Sequence, residues 1–222
     1  MTTISHVIRQ RKSTRAFLNK PVSTGTITQI LDTARFAPSG TNTQPWQVAV
    51  VSGQKKQSLD QQMFDAFNQG VKGEMEYQYY PEDMGEPYLS RRRTCGKLLY
   101  EILGITRKDV VQRRIQWGKN YKAFDAPVAL YFFLDKKLKK GSWLDCGMFL
   151  QNIMLAAHDH GLATCAQGAL GQYPAIVKKS LGYSDDKILV CGMAIGYEDK
   201  AAIINTYRTP RETVENFTTF FQ

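Results

Sequence analysis

Apolar residues recur along the chain with two periods, and these predict a mixture of helices and strands. Ile4, Val7 and Ile8 stand at helical spacing behind Thr3 as a cap, and Pro21 then breaks the chain. Ile27, Ile30, Leu31 and Ala34 repeat at i, i+3, i+4, i+7 and predict a second helix, which ends in the turn-rich segment Ala37 to Pro45. Trp46 to Val51 follows as a strand ended by Gly53, and Leu59, Gln62, Met63, Ala66 and Phe67 define a third helix. Cys95, Leu98, Leu99 and Ile102 share a face of the next helix, with Ser90 as its cap and Gly104 as its stop. Thr106 to Asp109 resembles a capping box, with Asp where Glu or Gln is usual, before a helix running to about Lys119. Val128 to Leu134 is a continuous apolar run suited to a central strand. Trp143 to His158 reads as a helix apolar nearly all round, hence buried, and Gly161 closes it. Leu162 to Cys165 is a short strand, Pro174 and Gly182 bracket a helix, and Lys187 to Ile195 is the final strand.

Two stretches escape this pattern. Residues from Gly70 to Ser90 hold Tyr77, Tyr79, Tyr80 and Tyr88 without a period, and a long irregular segment in a compact domain is functional or mobile. The tail ends in Phe217, Phe220 and Phe221, which need a place to bury, either on the chain's own core or around a partner.

At 222 residues the chain is expected to form one domain with a full hydrophobic core. Arg9, Arg11, Lys12 and Arg15 interrupt the amino end before a signal peptide could form, and no stretch approaches the ~20 apolar residues of a membrane span. Cys95, Cys146, Cys165 and Cys191 lie far apart and read as buried thiols of a reducing compartment, so the cytoplasm is the expected location. The net charge of +9 fits a nucleic acid or a phosphorylated cofactor as partner. Lys136 to Lys140 reads as a solvated turn. Arg91-Arg92-Arg93 opens a helix, at the end where the dipole disfavours cations.

The chain lacks a G-x-G-x-x-G turn, a Walker loop and a G-x-S-x-G elbow, and His6, His158 and His160 form no metal or catalytic set. Four polar clusters remain. Arg11-Lys12-Ser13-Thr14-Arg15 offers charged forks and hydroxyls suited to phosphate, although alone it reads more readily as an exposed basic turn. Pro38-Ser39-Gly40-Thr41-Asn42-Thr43-Gln44-Pro45-Trp46 offers small residues, backbone donors and amides that could hold a flat polar ring. Ala166-Gln167-Gly168-Ala169-Leu170-Gly171 follows a strand, and Gly168 lets a ligand approach the backbone. Asn205-Thr206-Tyr207-Arg208-Thr209-Pro210 sets another arginine in a polar turn.

In this order, over nearly the whole chain, the four clusters resemble the FMN-dependent nitroreductase superfamily. The Pro38 to Trp46 segment is the most specific element, and Cys191 to Tyr197 is similar to the family's closing strand and turn. Tyr88 to Arg93 and Gly141 to Asp145 resemble the branch of nitrobenzoate and nitrophenol reductases. The resemblance implies an α+β fold, a mainly antiparallel central sheet flanked by helices, in an intertwined homodimer with FMN between the subunits. It implies that Arg11, Ser13 and Arg208, assisted by Lys12, hold the phosphate and ribityl chain, and that Arg15 lies near the pyrimidine end of the flavin. Pro38, Ser39, Gly40 and Asn42 would reach that flavin from the other subunit, and backbone N–H groups around Gln167 and Gly168 would contact its N5. Several branches carry Glu where this chain has Gln167. Residues 70–90 fall where members vary on the substrate side, and residues 205–222 form an arm toward the partner.

The expected activity is ping-pong transfer of electrons from NADPH or NADH, through FMN, to a small nitroaromatic or quinone-like acceptor, with no side-chain nucleophile. An FMN-dependent dehalogenase or dehydrogenase of the same fold is the alternative. More distant are a flavin-binding protein without turnover and a basic nucleic-acid-binding protein, the latter disfavoured because no nucleic-acid module is visible.

Overall fold

The apolar run from residue 128 lacks alternation because the strand it forms is covered on both faces. The computed structural model describes residues 3–222. In it, β2 (Val128–Asp135) lies inside a four-stranded antiparallel sheet with β1 (Gln47–Ser52), β3 (Ala163–Gln167) and β4 (Lys187–Gly196), in the order β1-β2-β4-β3. Val128, Leu130, Phe132 and Leu134 point to one face, and Ala129, Tyr131 and Phe133 to the other, as the period of two requires.

On the first face pack α2 (Thr24–Ala34) and α6 (Lys140–Asp159), whose Ile27, Ile30, Phe149 and Ile153 share one core cluster with Phe132, the Phe149 ring lying edge-on to it. On the second pack α3 (Gly53–Asn68) and α7 (Pro174–Leu181), through Leu59, Met63 and Val177. Each fully buried side chain of this size contributes about 1.5–3 kcal/mol. α1 (Ile4–Gln10) packs against α6, α4 (Tyr88–Ile102) against the turn Ile203–Thr206, and α5 (Val110–Gly118) against α3 and the turn Lys119–Asp125. The α+β class and the antiparallel sheet read from the sequence are therefore present.

Several local expectations are corrected. α4 starts two residues before Ser90, whose N–H is capped by the Glu86 carboxylate at 3.1 Å. Asp109 accepts from the N–H and hydroxyl of Thr106, closing a turn ahead of α5 rather than a capping box inside it. α6 is not covered all round: Leu144 is 72% exposed and Met148 39%. The tail does not return to its own core, since Phe217, Phe220 and Phe221 are all exposed. Among the described residues no helix is long and apolar enough to cross a membrane.

A bulge interrupts the β2–β4 ladder between Phe132 and Phe133, so that Phe132 pairs with Cys191, Phe133 pairs with Leu189, and Val190 is passed over. Residues 74–77 fill the gap. The Tyr77 hydroxyl donates to the Val190 carbonyl at 2.6 Å, and the Leu189 N–H donates to Glu76 at 2.9 Å. Glu76 also pairs with Lys178 of α7. The tyrosine-rich segment is thus strapped to the end of the sheet.

Gly192, in the middle of β4, faces the turn after β3. A Cβ there would lie 2.5 Å from Leu170 Cδ1, 2.7 Å from its Cβ and 3.1 Å from the Leu130 carbonyl oxygen. Gly192→Ala is expected to lower stability by about 1–3 kcal/mol through overpacking, read as a fall in the midpoint of denaturant unfolding.

Candidate functional site

The amino-terminal basic cluster is extended along the outer edge of β3. Ser13 bridges Thr164 in parallel, the Thr14 N–H donates to the Thr164 carbonyl at 3.0 Å, and Phe17 bridges Glu198. This protects a sheet edge that would otherwise present unpaired amides. It also fixes direction. With a period of two about the bridge to β3, Thr14 turns inward and is buried, while Ser13 and Arg15 face a cleft that Arg11 and Lys12 also line.

Asn205 holds this segment in place from inside the fold. Its Oδ1 accepts from the Arg15 N–H at 2.8 Å, its Nδ2 donates to the carbonyls of Ala16 and Asp199, each at 2.8 Å, and its own carbonyl accepts from Lys12 Nζ. Lys12 reaches Glu198 as well, at 2.7 Å. Arg208 ties the same turn to the end of α1, its Nη2 donating to the carbonyls of Arg9, Gln10 and Arg11. Those carbonyls lack partners within the helix, and a cation suits that end of its dipole.

The cleft so formed has a volume of about 560 Å³. Arg9, Arg11, Lys12, Arg15, Arg208 and Arg211 line it, and no carboxylate does. Burial, followed by repulsion from Arg211 and Arg208, holds the Arg11 guanidinium below its ordinary pKa. Such crowding of like charge is relieved by a bound anion, and Ser13 adds a hydroxyl beside the forks.

Arg15 lies at a junction, for it lines a second cleft of about 430 Å³ as well. That half is aromatic. Tyr77, Tyr79 and Tyr80 of the strap and Trp117 and Phe124 face Gln167 and Gly168 at the end of β3. Phe124 is carried there by a turn with three successive residues, Ala123, Phe124 and Asp125, at φ of 48°, 54° and 59°. Left-handed backbone is unfavourable without glycine and marks a constrained site. Gln167 donates through Nε2 to the backbone and side-chain oxygens of Asn120, at 3.1 and 3.2 Å. Its Oε1 is buried without a partner, left over for a donor brought by a ligand. Gly168 begins a short 3₁₀ turn whose first N–H groups have no partner within the turn, and a Cβ at 168 would meet Tyr79 at 3.1 Å.

The structure therefore gathers Arg11, Lys12, Ser13, Arg15, Gln167, Gly168 and Arg208 around two adjoining clefts that share Arg15, one cationic and the other aromatic. Pro38, Ser39, Gly40 and Asn42 do not line it. They form an outward loop in which Thr41, Asn42 and Gln44 have φ of 49°, 59° and 46°. The loop is held by Ser39 Oγ accepting from the Gln44 N–H and by the buried Asp145 of α6 accepting from the Gly40 N–H. Sequence reasoning quoted Asn205 and Tyr207 without assigning them a role. It missed Arg211, Asn120, Trp117 and Cys95, which carries the carbonyl that accepts from the Tyr207 hydroxyl at 2.7 Å.

This arrangement, anion-holding at one end and able to clasp a flat ring at the other, belongs to a family. The chain is a member of the Nitroreductase family, whose model matches residues 8–197. It is 40% identical over 214 residues to a 4-nitrobenzoate reductase of Pseudomonas putida, covering 96% of this chain and 93% of that protein. It is 36% identical over 218 residues to a chloronitrobenzene nitroreductase of Comamonas testosteroni, covering 98% and 96%. Its fold superposes with a TM-score of 0.95, at 36% identity and 99% coverage of both chains, on the crystal structure of an FMN and NADPH-dependent nitroreductase, NfnB, from Sphigopyxis sp. strain HMH. The family match stops short of Arg208, so the place of that residue in the site rests on the geometry of the cleft.

Asn205→Ala would leave the Arg15 N–H without a partner and take one of two donors from the carbonyls of Ala16 and Asp199. The expected loss is about 1–3 kcal/mol, the cost of one such unpaired group. Thermal unfolding would register it, and an unchanged midpoint would remove Asn205 as the organiser of the basic cluster.

Proposed function

We propose that this nitroreductase-family enzyme binds FMN in the cleft and passes electrons from NADPH or NADH to a nitroaromatic acceptor. The observation that carries this reading is the cleft itself: six cationic side chains without a carboxylate at one end, running through Arg15 into an aromatic half walled by Gln167 and Gly168. Similarity to a 4-nitrobenzoate reductase and a chloronitrobenzene nitroreductase supports the acceptor class.

When bound, FMN supplies two-electron transfer between a nicotinamide and an aromatic acceptor, which no side chain here could supply. The protein binds, orients and polarises. Arg11, Ser13 and Arg208, with Lys12 beside them, would hold the phosphate end. Arg15, braced by its bond to the Ser13 carbonyl and lying over the Tyr207 ring, would set positive charge beside the ring system. Backbone N–H groups around Gln167 and Gly168 would be the donors to it. The 74–80 strap and Trp117 would flank the acceptor.

The enzyme works as a homodimer in which Pro38, Ser39, Gly40 and Asn42 complete the partner's site. Three features support this: the strained outward loop at 39–44, the exposed Leu144 and Met148 of α6, and the phenylalanines of the tail. Four free cysteines, three of them buried, support a reducing cytoplasmic location.

The purified protein is expected to show flavin absorption that bleaches when NADPH or NADH is added without oxygen and returns with a nitroaromatic. A colourless protein that takes up no added FMN would overturn the assignment. Arg11→Gln is expected to weaken FMN binding by tenfold or more, for the loss of a charged hydrogen bond of about 1.5–3 kcal/mol, read by fluorescence titration. Arg15→Ala is expected to lower the two-electron potential of the flavin, on the order of 30 mV for an interaction of about 1.4 kcal/mol, while leaving FMN bound.

A further inference from the structure

A larger concavity, of about 840 Å³, lies between α4 and the turn leading into α5, outside the cleft described above. The basic run of α4 forms one wall. Arg92, Arg93 and Lys97 stand on the helix face that Gly96 and Tyr100 share, at spacings of three and four residues. The other wall brings Arg107 from the turn and Arg113 from α5. Against these five cations stands one acid, Glu101, already paired with Lys97 at 3.6 Å. Arg93 and Arg107 are exposed and make no ion pair among the described residues, and although the Glu86 carboxylate feels the charge of Arg93, the groove keeps a net positive field.

The groove also has a flat surface. Tyr100 lies on its floor with the Arg113 guanidinium 4.3 Å from the ring centroid, a platform of the kind on which an aromatic base stacks. It is joined to the aromatic half of the flavin cleft. Arg92 lines the groove and at the same time covers the ring of Tyr80, 4.5 Å from its centroid, and Tyr80 lines that cleft. A ligand with its reactive ring beside Gly168 could therefore pass Tyr80 and lay its far end between α4 and α5.

We propose that this groove is the subsite for the adenosine end of the nicotinamide donor, and that its free arginines recognise a 2′-phosphate, so that the enzyme takes NADPH in preference to NADH. This rests on the flavin-reductase reading above and names a residue set for one of its two donors. A phosphate monoester bears close to two negative charges, and arginine forks match its geometry. The ribose hydroxyl of NADH offers those forks nothing comparable. The position of Arg92 and Arg93 near the amino end of α4, unfavourable for the helix dipole, is then compensated on binding.

The test uses the FMN-loaded enzyme and the double variant Arg93→Gln, Arg107→Gln, both changes being on the surface and away from the flavin. The expected result is a rise of at least tenfold in KM for NADPH, with KM for NADH and kcat with either donor unchanged. An unchanged NADPH/NADH ratio of kcat/KM overturns the proposal while leaving the flavin reading intact. Direct binding of 2′,5′-ADP, by calorimetry, reads the groove whether or not the flavin is reduced. Wild type should bind it at least tenfold more tightly than 5′-AMP, and the double variant should lose that difference. Equal binding of the two nucleotides, or of 2′,5′-ADP to wild type and variant, also overturns it.

Discussion

The buried side chain of Asn205 gives the Arg15 N–H its partner and adds a second donor to the carbonyls of Ala16 and Asp199. A short amide can do this because it has donors at one end and an acceptor at the other, matching an N–H of one strand-like segment and carbonyls of two. The consequence reaches beyond the turn that contains it. With residues 15 and 16 pinned, the preceding basic cluster must lie extended on the edge of β3, and its alternate side chains must face the cleft. Unpinned, the same residues would be the ordinary solvated basic turn that their composition allows.

The division of labour in the cleft follows from where polar groups can be kept dry. The cationic end is built from long side chains on irregular backbone, wet enough to keep their charge. The aromatic end is set against the sheet, where tyrosines and a tryptophan fill space and leave few polar atoms. Arg15 belongs to both, and Gln167 is tied to Asn120 so that the orientation of its amide is fixed. Placing one cation where the two environments meet lets a ligand's charged tail and flat ring be recognised by a single continuous surface.

Much of this was legible in the sequence where local pattern determines structure. The run at 128–134, the i, i+3, i+4, i+7 repeat of α2 and the proline and glycine bracketing α7 each produced the element they predicted, because burial of one or both faces imposes a period. The basic cluster and the Gln167-Gly168 turn were recognised through their order along the chain and meet in space as that order implied. What stayed hidden depends on contacts between distant residues. Nothing near Asn205 announces that it bonds residues 15 and 16, and nothing near Tyr77 announces that its hydroxyl meets a carbonyl exposed by a bulge 113 positions later. The all-round apolar reading of α6 failed for a related reason: composition shows that a surface wants covering, while Leu144 and Met148 show that this chain alone does not cover it.

The strap has a further consequence for how such an enzyme can change. Its attachment to the sheet is concentrated at Glu76 and Tyr77, which bind the Leu189 N–H, Lys178 and the Val190 carbonyl. The residues between Tyr77 and α4 carry the tyrosines of the cleft wall and bear none of the sheet's own ladder. Lengthening a loop costs little, about 0.6 kcal/mol per doubling. Insertions and substitutions there can reshape what the wall admits, while the bulge, the sheet and the phosphate-holding edge stay as they are. A lineage can therefore explore new acceptors in one short stretch of the gene without renegotiating the hold on its cofactor.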